Sequence, residues 1–492
     1  MSMGMLKLKL PDANEPPAVA RAVFTGGVGF PPTTRTQRLV LWISILASLV
    51  SFLDSSVINV ALPAISRNLG GGLTTQQWVV DAYLITLGSL ILLAGSLSDV
   101  LGRILILRAG LLGFGVTSVM CAFAPTAEIL IISRALQGIA GALLVPSSLA
   151  LITSHFDGPA RAKAIGQWTA GTTVAFIAGP LVGGVLVDSV GWRWVFGINV
   201  VPIAVTLCLL AVLRSSDVRE SGVGIDYPGA VLCVLGLAGP VYALIEQGTQ
   251  GWASPGILLP LILGVACFGA FIWRQAIAKQ PLMPLSLFAV RNFAAGNLAT
   301  MFIYAALSIG GFIIVLFLQQ VAGYPATLAA LALLPVSLLN IFMSSWFGSL
   351  AGRHGPRWFM ALGPAGAGLG YYLMVSSQTP VNYWNQLLPG IILFGVGLSA
   401  TVAPLTAAIL GSISEQQSGI GSAVNNAVAR VSGLVSIAFV GLIAGKQLDL
   451  DGFHRVLIAT GILLVVGGTV SALGIRNPAR IVKPTDSATA QA

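Results

Sequence analysis

The chain has 492 residues, of which 56% are hydrophobic and 8% charged, and its mean hydropathy is +0.90. An ordinary soluble domain carries about 25% charged residues, so the charges here are too few to cover a water-soluble surface. The chain is read as a polytopic membrane protein. Its net charge of +9 is scattered in short clusters between apolar runs, a pattern of topology and not of nucleic-acid binding.

Residues 1–38 are polar, rich in Pro and Gly, and read as a cytoplasmic tail. The apolar run after them is too long for a signal peptide. Apolar segments near the roughly 20 residues that span a bilayer then recur. They predict fourteen helices, at 39–63, 76–97, 104–123, 128–152, 162–187, 194–213, 228–246, 255–275, 293–320, 327–350, 358–376, 385–410, 419–444 and 455–475. Residues 476–492 form a second polar tail. An even helix count puts both termini on one side. With the termini inside, nineteen basic residues fall in inner segments and four in outer ones, so the positive-inside rule makes both tails cytoplasmic.

An internal repeat divides the chain. "GSLSDVLGR" at 95–103 is echoed by "GSLAGRHGPR" at 348–357, and "PSSLALI" at 146–152 by "PLTAAIL" at 404–410. "AIGQWTAGTTVAF" at 164–176 matches "GIGSAVNNAVARV" at 419–431. The similar offsets in one order imply two six-helix bundles, 39–213 and 293–475, with an inserted helix pair at 228–275. Two such halves around a central site are the plan of an alternating-access transporter.

Charged residues inside apolar helices need a partner or a purpose. Asp54, in "LDSSVINVALPAI", stands 15 residues after Leu39, about 22 Å along a helix and past the midplane of a core of about 30 Å. A carboxyl there can load and release a proton as its surroundings alternate; the bland alternative is a hydrogen-bonded structural acid. Arg134, in "SRALQGIAGALL", lies within the fourth predicted helix, where an unpaired cation costs about 2.5 kcal/mol or more. Asp81 lies near the outer end of the second helix, where hydrated capping is the competing reading. Glu246 ends the seventh helix and is read as solvated at the interface. Arg430, deep in the thirteenth, either anchors structure or meets an anionic group of a substrate. The cysteines Cys121, Cys208, Cys233 and Cys267 sit in apolar segments without paired spacing, as small apolar residues do. His155, His354 and His454 are isolated in polar connections, so no metal site is expected. No GxxxxGK[ST] motif is present.

Four stretches carry a family resemblance. "GSLSDVLGR" resembles the loop signature G-x-L-x-D-R-x-G-R, with Val100 where Arg is usual. Its Gly95 and Gly102 are read as permitting a close approach and a sharp turn, and its Asp99 and Arg103 as a cytoplasmic latch. "RALQGIAG" is similar to R-x-x-Q-G-x-G/A. "GQWTAGTTVAFIAGPLVGG" resembles the antiporter signature G-x8-G-x3-G-P-x2-G-G, through Gly166, Gly179, Pro180, Gly183 and Gly184, with Ala175 replacing one Gly. The stretch around Asp54 resembles a helix 1 signature. The chain therefore resembles the major facilitator superfamily, in its 14-helix drug:proton antiporter branch, over residues 39–475. The resemblance implies an all-α fold of fourteen transmembrane helices and no enzyme activity. It implies export of amphipathic small molecules, protons as the coupling ion and no other cofactor. Asp54 would couple protons with Arg134 as its partner, although a snorkelling anchor also fits Arg134. Asp81, Tyr83, Phe176, Tyr304, Asn340 and Arg430 are the substrate-pocket candidates. The expected partners are the bilayer of the cytoplasmic (inner) membrane and an amphipathic substrate, with no nucleic acid, and the chain is expected as a monomer. A dedicated exporter of one metabolite, lipid or siderophore is the alternative function, and a non-transporting membrane sensor a more distant one.

Overall fold

A computed structural model describes residues 34–213, 217, 224–414, 417–445 and 447–477; most of both predicted tails lies outside them. In hydrocarbon every backbone N–H and C=O must find its partner within the span, which a helix achieves by itself. The described residues form fourteen helical spans. They are α1 (Arg35–Leu69), α2 (Gly72–Leu101), α3 (Arg103–Ala122), α4 (Ala127–His155) and α5 (Gly158–Ser189), then α6 in two pieces (Trp194–Gly197 and Val200–Val212). Next come α7 (Tyr227–Gln250), α8 (Pro255–Ile277), α9 (Arg291–Gln320), and α10 in two pieces (Ala326–Ala332 and Leu334–His354). The last are α11 (Arg357–Met374), α12 (Leu388–Leu410, after a wide turn at Tyr383–Leu387), α13 (Ser418–Ala444) and α14 (Leu450–Gly474). Thirteen of these are long and apolar enough to cross a membrane; α11, at 18 residues, is the shortest.

The helices overrun several predicted ends because hydropathy stops at the first charge while the backbone continues into the headgroup zone. Thus α1 starts at Arg35 and not at Leu39, held by a capping box between Thr34 and Gln37, and its 35 residues reach about 52 Å. His454 consequently lies in the first turn of α14 and not in a connection, bonded to Ser377. The breaks in α6 and α10 each precede a proline, Pro202 and Pro335, which supplies no amide to the preceding turn.

Within the first half, α2 packs on α4, α3 on α4, and α1 on α4, α5 and α6. In the second half, α11 packs on α12 and α14, α9 on α13 and α14, and α10 on α12. Internal prolines occupy repeat-related places, Pro146 in α4 and Pro404 in α12. The pair α7–α8 joins the rest through α7, which touches both α2 and α13 and so straddles the seam between halves. There Glu246 accepts a hydrogen bond from Trp78 Nε1 at 2.8 Å, so it is an anchor and not merely a solvated end group. At the other end of the pair, Asp226 accepts from Arg274 Nε at 2.6 Å, Gln275 Nε2 at 3.1 Å and the Gly229 amide at 3.0 Å. Burial alone would push the Asp226 carboxyl up, but those hydrogen bonds and the Arg274 charge outweigh it and hold it below the usual carboxylate range.

The contacts that join the two halves gather at the ends where α1 and α5 finish. Gln77 Nε2 donates to the carbonyls of Ile437 (2.7 Å) and Ala438 (3.1 Å), and Gln319 Nε2 to that of Val60 (3.0 Å). Asp188 caps the start of α10, accepting from the amides of Ala326 (3.0 Å) and Thr327 (2.8 Å) and from the Thr327 hydroxyl (2.6 Å). A carboxylate is favoured at the positive end of a helix.

Two predictions follow from this packing. A Cβ on Gly370 would stand 2.7 Å from the Phe394 amide, whereas one on Gly366 meets nothing within 4 Å. Gly370→Leu should therefore lower the thermal unfolding temperature by several degrees, as overpacking costs about 1–3 kcal/mol, while Gly366→Leu leaves it unchanged. Because the folded Asp226 carboxyl lies below its unfolded value, its contribution is complete above the ordinary carboxylate range and is lost as pH falls through the lowered value. Hydrogen exchange in α7 and α8 should then show equal protection at about pH 8 and pH 5, with loss only in stronger acid.

Candidate functional site

Two intramembrane charged residues of the first half meet. Asp54 on α1 and Arg134 on α4 are both 0% exposed, and Arg134 Nη1 lies 2.6 Å from Asp54 Oδ2. The carboxylate's other oxygen accepts from Asn199 Nδ2 at 3.0 Å and from Gln137 Nε2 at 3.3 Å. Asn199 sits in the break of α6, so that irregularity delivers an amide to the centre of the bundle. Arg134 also donates to Gln137 Oε1 at 2.7 Å and, through Nε, to the Val79 carbonyl of α2 at 3.0 Å. Ser118 on α3 accepts from Gln137 at 2.9 Å. The guanidinium carbon lies 4.2 Å from the centre of the Tyr83 ring and 5.8 Å from that of Phe196, within cation–π range. Arg134 therefore does not snorkel. A buried ion pair persists only when its remaining polar atoms are well satisfied, and here Gln137 and Asn199 accomplish most of that. Arg134 Nη2 and Asn199 Oδ1 have no hydrogen-bond partner among the described residues.

This centre adjoins a cavity of about 280 Å³ between the halves, walled by α1, α5, α9, α10, α11 and α12. Ser55, the residue after Asp54, lines it. The Ser55 hydroxyl donates to the Tyr83 hydroxyl at 3.5 Å, which is also 3.1 Å from Ser51 Oγ. The ion pair and the cavity wall are thus separated by one tyrosine and two serines.

Of the six pocket candidates, only Phe176 lines this cavity. Asp81 is fully buried and neither carboxyl oxygen has a hydrogen-bond partner among the described residues; α2 starts at Gly72 and leaves Asp81 too deep for hydrated capping. Tyr83 is buried beneath Arg134. Tyr304 and Asn340 are half-buried outside the wall. Arg430 stacks 5.6 Å over Phe52, whose ring lies 5.4 Å from that of Phe176, so it stands just behind the wall.

In the loop motif, Asp99 and Arg103 pair at 3.3 Å. Gly102 has φ +111 and packs against the Asp217 carboxylate, whose oxygens accept from the Ile104 and Leu105 amides at 3.1 Å each. Gly95 makes no close approach, contrary to the expectation from the motif. In α5, side chains at Gly179 and Gly183 would strike Ser56 and Val57 of α1, and a Cβ on Gly184 would lie 2.7 Å from Thr327 Cα of α10. Pro180 lines the cavity, and Gly166 faces open space. The reading of the sequence missed Gln137, Asn199 and Ser118. The detectable signal was polar side chains within apolar runs, "RALQG" and "FGINV".

Removing one member of a buried pair strands the other, at a cost of about 3–5 kcal/mol. Arg134→Met should therefore lower thermal stability more than the double variant Asp54→Leu with Arg134→Met. A double-mutant cycle from thermal unfolding in detergent measures that difference.

The sequence model of the Major Facilitator Superfamily matches residues 44–437 and 336–490. The methylenomycin A resistance protein of Bacillus subtilis is 33% identical, over 84% of this chain and 88% of that one. The puromycin resistance protein pur8 of Streptomyces alboniger is also 33% identical, over 88% and 86%. The multidrug efflux pump LfrA of Mycolicibacterium smegmatis is 31% identical, over 84% and 83%. Among solved structures, a peptide transporter POT in complex with sulfate superposes with a TM-score of 0.66 at 15% identity, over 90% of this chain and 94% of that one. A bacterial homologue of the lysosomal transporter Spinster does so with 0.62 at 16%, over 90% and 97%. The match along nearly the whole chain, together with the fourteen-helix fold, shows that this multi-pass membrane protein belongs to the Major Facilitator Superfamily.

Proposed function

We propose that the chain is a proton-coupled antiporter that exports amphipathic small molecules by alternating access. The observation that carries this reading is the fully buried Asp54–Arg134 pair, at 2.6 Å and one residue from the cavity wall at Ser55. Resistance and efflux proteins among the relatives support export as the direction of traffic. Protonation of Asp54 removes the negative partner of Arg134. The guanidinium must then find another acceptor, and α1, α2, α4 and α6 rearrange around it. Ser55 and Tyr83 transmit that rearrangement to the cavity.

The basic bias of the sequence supports placement in the cytoplasmic membrane with both termini cytoplasmic. In that orientation the contacts of Gln77, Gln319 and Asp188 lie on the external side, and the structure is the inward-facing form. Residues 39–213 and 293–475 act as the two rocking bodies, with 228–275 riding on their seam. Asp99 and Arg103, paired with each other in this form, serve as a cytoplasmic latch that re-forms across the halves when the inner side closes. The small-residue face of α5 is the surface on which α1 and α10 move.

In inside-out vesicles, Asp54→Asn should abolish proton-driven uphill accumulation of radiolabelled amphipathic antibiotics while leaving energy-independent counterflow measurable. Uphill accumulation at the wild-type rate in that variant contradicts the assignment of Asp54.

A further inference from the structure

The cavity between the halves carries an unspent recognition chemistry. None of its lining residues is Asp, Glu, Lys, Arg or His. Most are aliphatic or aromatic, yet three polar side chains in the wall, Tyr371, Asn59 and Ser337, make no hydrogen bond among the described residues. Tyr371 on α11 is 0% exposed, and its hydroxyl has no hydrogen-bond partner among the described residues. That hydroxyl rests directly on Gly310 of α9, where any Cβ would collide with it, so the missing side chain at 310 is what lets it reach this place. Asn59 on α1 is half-buried, lines the same cavity and makes no hydrogen bond among the described residues. A buried hydroxyl without a partner carries its desolvation cost uncompensated, and a cavity of this kind with few polar groups is the ordinary form of a small-molecule site.

The cavity wall itself holds no charge, and the acids behind it, Asp54 and Asp81, lie on α1 and α2 outside the lining. Arg430, behind Phe52 and Phe176, forms no ion pair among the described residues. The second half can offer it no acid within the membrane, because between Glu246 and Glu415 the sequence contains none. Asp54 is committed to Arg134. A cationic ligand would therefore enter a cavity that has no anion in its wall and a guanidinium behind it.

Resting on the antiporter reading above, we infer that this cavity takes an uncharged amphipathic ligand bearing carbonyl-type acceptors, and that Tyr371 donates the hydrogen bond that positions it, with the Asn59 amide as the second contact. The two groups come from opposite halves, α11 and α1. A ligand held by both ties the halves together, and its loss frees them to separate. Tyr371 is a specificity residue in this account, distinct from the proton site.

The test is equilibrium binding to the purified full chain in detergent, without any ion gradient, by scintillation proximity. The probe is tritiated progesterone, an uncharged amphiphile with a carbonyl at each end, and the competitor is tetraphenylphosphonium. Tyr371→Phe should weaken progesterone binding three- to tenfold, the effect of one lost hydrogen bond, with thermal stability equal to or above wild type. Asn59→Leu should weaken it by a similar factor. Tyr372→Phe, at an exposed neighbouring position, should change nothing, and tetraphenylphosphonium should compete poorly. Wild-type affinity in Tyr371→Phe, effective competition by the cation, or no saturable progesterone binding to the wild type each overturns the inference. Because no gradient is used, these outcomes are separable from a failure of proton coupling, which the vesicle experiment with Asp54→Asn detects.

Discussion

The structure is organised around one buried ion pair. Two charges in the middle of an apolar bundle are tolerable only together, and the distance of 2.6 Å between Arg134 and Asp54 is one part of a larger arrangement. Gln137 and Asn199 complete the carboxylate, the Val79 carbonyl holds the guanidinium from below, and Tyr83 covers its face. Four helices of the first half, α1, α2, α4 and α6, contribute to this set. The break in α6 is part of the same design, since a regular turn there would not present Asn199 in the same way. Under the proposed proton coupling, neutralising Asp54 would free Arg134 and make the pair a switch.

Around that centre the halves meet unequally. At one end Asp188 caps α10, Gln77 reaches α13 and Gln319 reaches α1. Glycines of α5 let α1 and α10 approach to backbone distance. Between the halves lies the cavity, and Ser55 of its wall is linked through the Tyr83 hydroxyl to the ring that covers Arg134. The cavity and the charge pair therefore share a boundary without overlapping. The pair α7–α8, anchored by Glu246 on Trp78, adds an apolar face along the seam while leaving the cavity wall untouched.

Much of this was legible in the residues themselves. Fourteen helices follow from hydropathy, and the need of Asp54 for a partner follows from the cost of charge in hydrocarbon, which are local properties. The pairing of Asp54 with Arg134 was suggested by resemblance, and the snorkelling alternative could not be discarded without knowing which way Arg134 faces. Asn199 and Gln137 escaped notice because a neutral amide in an apolar run carries no charge penalty that draws attention to it. Of the pocket candidates, Phe176 alone lines the cavity between the halves. Asp81, Tyr83, Tyr304 and Asn340 were chosen by residue type, but whether a side chain reaches a cavity depends on helix rotation, which composition does not encode. Tyr371 shows the converse, since its meaning depends on Gly310 of another helix some sixty residues earlier in the chain. Helix ends were misplaced for a simpler reason: the backbone remains helical beyond the hydrocarbon, where charged side chains already reach water.

The central claim is that Asp54 holds the proton that exchanges for substrate. It is tested most directly by measuring proton release from purified protein in weakly buffered detergent solution when substrate is added. The account predicts release by the wild type and none by Asp54→Asn, with substrate binding retained in both. Equal release from the two proteins would contradict it.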